Sequence, residues 1–160
     1  MDHDLTDAEI TTVELPAQHT AVVRGRVPHD GIAGFLGDAF TAVLSQAGAQ
    51  DLDLVGPPFA RYRPGDAGRW EVEAGFPVDS PVTADGDVVP SSLPGGHAAR
   101  TVHQGAYDGV AAAYQRLESW VTDNGYVVTD APWECYLDDP SVAEPRTLVV
   151  MPCQVIHAPE

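Results

Sequence analysis

The 160-residue chain carries 24 acidic side chains against 8 basic ones, a formal charge of −16, and every one of the eight bases is an arginine. Such a charge repels phosphate backbones and anionic lipid, so direct nucleic-acid binding and membrane association are not expected. An apolar content of 44% argues against disorder throughout, and no run approaches the 18 or so apolar residues of a membrane span. Residues 1–10 read as an acidic tail, with four acids, no base and no apolar core of a secretory signal, which points to a cytoplasmic protein. Residues 11–18 and 20–27, rich in Val and Thr, predict two strands. Ile32, Phe35, Leu36, Ala39, Phe40, Val43, Leu44 and Ala47 then fall at helical spacing, between a candidate N-cap at Asp30 and a stop at Gly48. Residues 54–62 and 70–76 predict two more strands, the second alternating Trp70, Val72, Ala74 and Phe76 against Glu71 and Glu73.

Residues 77–96, rich in Pro, Gly, Ser and Asp, read as a long connection. After it the order recurs. Residues 97–104 are strand-like. A second helix carries Tyr107, Val110, Ala111, Tyr114, Leu117 and Val121, capped by Asp108 and ended by Asn124-Gly125. Residues 133–137 and 147–153 predict the closing strands. Cys135 and Cys153 are too few for a disulfide framework and read as buried apolar residues. His97 and His103 share strand parity but lie about 20 Å apart on an extended strand, so no joint metal site is expected; nothing calls for a cofactor. His103 reads as a local hydrogen-bonding residue.

The halves match in detail. Asp30-Gly31-Ile32-Ala33 opens the first helix and Asp108-Gly109-Val110-Ala111 the second. Pro58-Phe59-Ala60-Arg61-Tyr62 corresponds to Pro132-Trp133-Glu134-Cys135-Tyr136. The chain therefore reads as an α+β domain over 11–155, with halves of about 11–80 and 94–155. The expected architecture is two β-α-β-β repeats in an antiparallel sheet, both helices on one side and a cleft between the halves. Alternation puts Glu134 and Tyr136 on one strand face and Trp133, Cys135 and Leu137 on the other. Glu134 is the residue that breaks the repeat, because the sister half has Ala60 there. A buried carboxylate needs a proton, an arginine or a ligand to offset desolvation, whereas a half-exposed strand needs nothing. Aromatic faces beside one carboxylate would suit a lipophilic cation or a flat, weakly polar molecule.

Leu93-Pro94-Gly95-Gly96-His97-Ala98, His103-Gln104-Gly105-Ala106-Tyr107 and Trp133-Glu134-Cys135-Tyr136-Leu137-Asp138-Asp139-Pro140 resemble the characteristic runs of GyrI-like domains. The resemblance covers about 10–155. It implies a duplicated, SHS2-like fold whose acidic cleft residue, here Glu134, meets cationic or aromatic compounds. Tyr107 and Tyr136 fall on motif positions; Tyr62, Trp70 and Trp133 are expected to add aromatic surface. Family members serve as effector domains of multidrug-responsive regulators (including AraC-type), as gyrase modulators or as stand-alone domains, some of which hydrolyse cyclopropane-bearing genotoxins. Because no basic helix-turn-helix segment flanks the domain, the resemblance implies first a stand-alone receptor that senses or sequesters small hydrophobic or cationic compounds. A hydrolase using Glu134 as its catalytic residue, and a gyrase-modulating interaction protein, are the alternatives. A homodimer or a separate regulator chain is compatible with each.

Overall fold

A computed structural model describes residues 10–106, 109–138 and 141–155. It contains nine antiparallel strands and two α-helices, an α+β architecture, and the chain divides into two compact units. One unit is Ala17–Pro94. The other is drawn from Met1–Pro16 and Gly95–Glu160.

The Ala17–Pro94 unit holds β2 (Gln18–Pro28), a 3-10 turn at His29–Gly31, α1 (Ile32–Ala49), β3 (Phe59–Pro64), β4 (Arg69–Pro77) and β5 (Val88–Leu93), with sheet order β3-β4-β2-β5. The other unit holds β1 (Ile10–Leu15), β6 (Gly96–Gln104), α2 (Val110–Asp123), β7 (Tyr126–Val128), β8 (Trp133–Tyr136) and β9 (Arg146–Val155). Its order is β8-β9-β6-β1, with β7 paired to the end of β9. The two orders are the same, strand for strand.

Each edge strand is lent by the other repeat. The first strand of the first repeat, β1, pairs with β6, and the first strand of the second repeat, β5, pairs with β2. The crossing points are Leu15-Pro16 and Leu93-Pro94, at the boundaries of the two units. Proline donates no hydrogen bond and disfavours helix before it, so at both places the ladder stops and the extended chain passes to a new partner. The strand expected over residues 11–18 is found at Ile10–Leu15, paired with β6.

Each helix lies on one face of its sheet. On α2, Val110, Ala113, Leu117 and Val121 are buried against Ala99, Val149, Met151 and Cys153. On α1, Ala39, Val43 and Ala47 are buried, while Leu44, expected in the stripe, is 48% exposed. Val43 shares a core with Ala21, Phe76, Val78, Val82 and Val88, and Phe40 meets Phe76 edge to face.

Several sequence expectations shift. Neither helix has a side-chain cap: α1 starts after the 3-10 turn, with Gly31 rather than Asp30 at its N-cap, and α2 has Gly109 there. Helix α1 also runs past Gly48 to Ala49. Asp108 lies outside the described residues. The strand expected over 54–62 begins only at Phe59, because Pro57 and Pro58 interrupt the ladder; Leu54 keeps an isolated bridge to Val78. The long connection hides β5, whose Pro90 is tolerated on an edge strand. Among the described residues, no helix is long and apolar enough to cross a membrane.

Gly75 lies between β2 and β3 on β4, and a Cβ built there would stand 1.8 Å from the Ala21 carbonyl oxygen. Backbone cannot rotate away as a side chain can. Gly75→Ala should therefore destabilise the fold by about 3 kcal/mol or more, read as a lower denaturation midpoint in urea. An unchanged midpoint would show that β2 and β4 can separate freely.

Candidate functional site

Strand β8 pairs with β9 through Glu134↔Val149 and Tyr136↔Thr147. Val149 lies in the core under α2, so Glu134 and Tyr136 face the helix as well. Being two residues apart on one strand, they are neighbours on that face. The Tyr136 hydroxyl donates to Glu134 Oε2 at 2.6 Å. From α2, the Tyr114 hydroxyl donates to Oε1 at 2.8 Å. Glu134 is 8% exposed, and among the described residues no arginine pairs with it. The carboxyl is thus buried and held only by neutral hydroxyls, each half-buried.

Burial pushes the Glu134 carboxyl above its ordinary value. The Tyr136 and Tyr114 hydroxyls and the charge of the His103 imidazole pull in the opposite direction, by less. His103 reaches the same sheet face through its pairing with Thr147. Its Nε2 lies 2.8 Å from the Ala106 carbonyl oxygen, so Nε2 carries the proton and donates. Gly109 fits against this ring: a Cβ there would meet His103 Cε1 at 2.7 Å. The local hydrogen-bonding role expected of His103 is what the structure shows.

Sister positions in the Ala17–Pro94 unit make the origin of this cluster clear. Ala60↔Ala74 occupies the register place of Glu134↔Val149, and Gly25↔Val72 that of His103↔Thr147. Counting from the helix starts, Leu36 corresponds to Tyr114 and Phe35 to Ala113. The Phe35 ring rests on Gly25, where a Cβ would come within 2.6 Å of it. In one unit, then, the large ring comes from the helix over a strand glycine. In the other it comes from the strand, as His103, and the helix offers Ala113. Tyr114 is one of several aromatics that the sequence offers to core or pocket alike, and nothing in its helical spacing singles it out. Its signal was present in the repeat, as a hydroxyl-bearing ring where the sister helix has Leu36.

The other expected site residues are distributed differently. Trp133 is buried and pairs with Val150, so it projects from the face opposite Glu134. Tyr62 and Trp70 belong to the Ala17–Pro94 unit and meet edge to face at 6.4 Å. Tyr107 lies outside the described residues. Cys135, on the Trp133 face, has its thiol pushed up to about 12 by burial and by the Glu134 charge, which leaves it a poor nucleophile. His97 Nδ1 lies 2.6 Å from Glu14 Oε2, so the two histidines have separate partners.

Two α+β units of one topology, one with a buried acid held by tyrosine hydroxyls on its helix-covered face and the other with its buried acid, Glu73, on the opposite face beside Arg24, define a duplicated small-molecule-binding domain. The chain belongs to the GyrI-like family, whose small molecule binding domain matches residues 8–153. No curated protein sequence matches it. Among solved structures, the EcmrR C-terminal domain superposes with a TM-score of 0.79 at 22% identity, covering 92% of this chain and 98% of that one. In the EcmrR–DNA complex the chain spans 58% of the longer EcmrR protein, with 92% of its own length covered, a TM-score of 0.77 and 24% identity. SAV2435 bound to tetraphenylphosphonium gives 0.58 at 17% identity, covering 91% of this chain and 94% of that one. A hydrolase from Listeria innocua gives 0.65 at 12% identity, covering 91% and 92%. At these identities the likenesses establish the fold.

The raised Glu134 value has a consequence for stability. The folded state binds the proton more tightly than the unfolded chain, whose glutamate titrates near 4.5. The stability contributed by the neutral acid is full below that value and lost as pH rises through the folded-state value. Glu134→Gln should therefore stabilise the protein by roughly 1–3 kcal/mol at about pH 8. Its advantage should shrink as pH is lowered toward about 5. Denaturation of both proteins across that range checks this, and an advantage independent of pH would contradict it.

Proposed function

We propose that this chain is a receptor for hydrophobic and cationic aromatic small molecules, which it senses or sequesters, with Glu134 as the charge that selects them. The observation that carries this reading is a carboxyl 8% exposed whose hydrogen-bond partners, among the described residues, are neutral hydroxyls. Tyrosine hydroxyls satisfy the oxygens but do not neutralise the charge, so the ionised form stays costly until a cation arrives. Both oxygens already accept a short hydrogen bond. A cation with diffuse charge and no N–H donor asks for nothing more than proximity, whereas a primary amine would compete with the tyrosines. Tyr114 and Tyr136 add aromatic faces to which such a cation is attracted. That SAV2435 was solved with tetraphenylphosphonium is consistent with this ligand class. We assign Tyr136 and Tyr114 to the hydroxyl clamp and keep Tyr107 as a candidate aromatic contact.

A hydrolase is the second reading. The raised value of Glu134 favours it, because a carboxylate tuned toward neutrality is a better general base. Each oxygen accepts one tyrosine hydroxyl and keeps a second lone pair, by which it could hold a water. Incubation with a cyclopropane-bearing alkylating agent decides this: intact compound after a long incubation removes the reading.

The receptor reading makes a charge-specific prediction. Glu134→Gln should weaken tetraphenylphosphonium at least tenfold, about 1.4 kcal/mol. It should change binding of neutral triphenylphosphine oxide by less than about twofold. Equal losses for both compounds, measured by calorimetry, would remove the charge role. Wild-type affinity for the cation should also rise with pH, with a proton released on binding, since the ligand favours the ionised acid.

A further inference from the structure

The face of the Ala17–Pro94 sheet that points away from α1 gathers most of the chain's positive charge. Ala21 and Phe76 lie in the core with Val43 of α1. Alternation then sends Arg24 and Arg26 of β2, Arg61 and Arg63 of β3, and Arg69, Glu71 and Glu73 of β4 to the opposite face. Five of the eight arginines thus stand on one face with two glutamates, in a chain whose net charge is −16.

Their order is regular. Arg24, Glu73 and Arg61 are directly opposite one another across three strands, and Arg26, Glu71 and Arg63 form the next row. Of these arginines, Arg24, Arg26 and Arg63 border one groove, whereas Arg61 is buried at 5% exposure. The inner row is tightly built. Glu73 Oε2 accepts from Arg24 Nε at 2.9 Å and from the Ser91 hydroxyl at 2.9 Å. The Arg24 Nη2 also donates to Ser91 at 3.3 Å.

The outer row is loose. Arg26 Nε stands 3.8 Å from Glu71 Oε2, too far for a hydrogen bond. The two side chains are 69% and 50% exposed. Among the described residues Arg26 makes no hydrogen bond. Between the rows lies an open groove of about 280 Å³, bordered by Arg24, Arg26, Arg63, Glu71 and Glu73.

We propose that this groove is a second ligand site, for a small oxyanion with at least two negative charges, such as a phosphomonoester or a dicarboxylate. Guanidinium forks are suited to planar, two-pronged recognition of such oxygens, and the face carries them in excess over its carboxylates. The long-range field of the chain repels anions. Binding here therefore depends on short-range contacts and favours compact, highly charged ligands over extended polyanions. Glu71 acts as the internal competitor for Arg26, and the ligand displaces that loose contact.

The test uses the full-length protein labelled with nitrogen-15 and follows arginine Nε–Hε signals by NMR at constant ionic strength. Inorganic phosphate, glycerol phosphate and succinate form three arms, with chloride as reference. Signals of Arg24 and Arg26 should move and saturate with a dissociation constant of about 1 mM or tighter in at least one arm. The tightest arm identifies the oxyanion. Arg26→Gln should weaken binding at least tenfold, whereas Glu71→Gln should tighten it several-fold. Both side chains are half-exposed or more, so neither substitution should move the thermal midpoint by more than a degree or two. Failure of all three arms to saturate, an equal response to chloride, or the same direction of change in both variants would overturn the proposal.

Discussion

A buried carboxyl group whose hydrogen bonds, among the described residues, come from neutral hydroxyls is an unusual thing to leave in a fold. Glu134 sits on the helix-covered face of its sheet, where the sister unit has Ala60 paired with Ala74. Two tyrosines supply hydrogen bonds, but hydrogen bonds from neutral donors recover only part of the hydration that an ion loses. Burial therefore outweighs the hydroxyls, and the acid is pushed toward its neutral form. The energy withheld from the free protein is available to whatever brings a positive charge to the site. Reduced stability of the domain and a carboxyl ready to be neutralised are thus one physical fact viewed from two sides.

Duplication supplies the scaffold in which this asymmetry is tolerated. The two units have the same strand order and the same helix placement, yet four equivalent positions differ in kind. Gly25, Phe35, Leu36 and Ala60 in one unit stand where His103, Ala113, Tyr114 and Glu134 stand in the other. At two of the four positions the exchange is roughly conservative in volume, since a ring on the helix over a glycine, Phe35 over Gly25, becomes a ring on the strand, His103, with Ala113 on the helix. Packing density survives such swaps, and polarity is what changes. Tyr62 and Tyr136 remain the same residue in both units. One tyrosine is therefore a feature of the ancestral pattern, and the acid beside Tyr136 is what turns it into a clamp.

Much of this was legible in the sequence. Helical spacing located both helices, and the matched Asp-Gly openings and Pro-aromatic strands exposed the duplication. Parity alone put Glu134 and Tyr136 together. What escaped did so for identifiable reasons. Strand β5 is short, begins after a turn at Asp85–Val88 and contains Pro90, which reads as a loop unless its edge position is known. Strand β7 has three residues and is defined by β9 rather than by its own pattern. The exchange of β1 and β5 could not be read from local preference, because strand pairing is a non-local choice; only the repeated Leu-Pro at 15–16 and 93–94 hints at it. Tyr114 was masked by its place in an apolar stripe, where an aromatic ring is ordinarily core.

The exchanged strands bear on how a destabilised unit stays folded. Strand β1 pairs with β6 over six residues and β5 with β2 over six. Each unit thus takes its edge strand from the other repeat, and neither sheet is complete using one repeat alone. The exchange closes each sheet inside its own unit: β3-β4-β2-β5 lies within Ala17–Pro94, and β8-β9-β6-β1 lies within the other unit. The unit that carries Glu134 therefore offsets the cost of that charge with its own core, in which Val110, Ala113, Leu117 and Val121 of α2 meet Ala99, Val149, Met151 and Cys153. Each sheet is built from both repeats, so the edge strand β1 of the unit that holds the acid comes from a part of the sequence that carries no share of the acid's site.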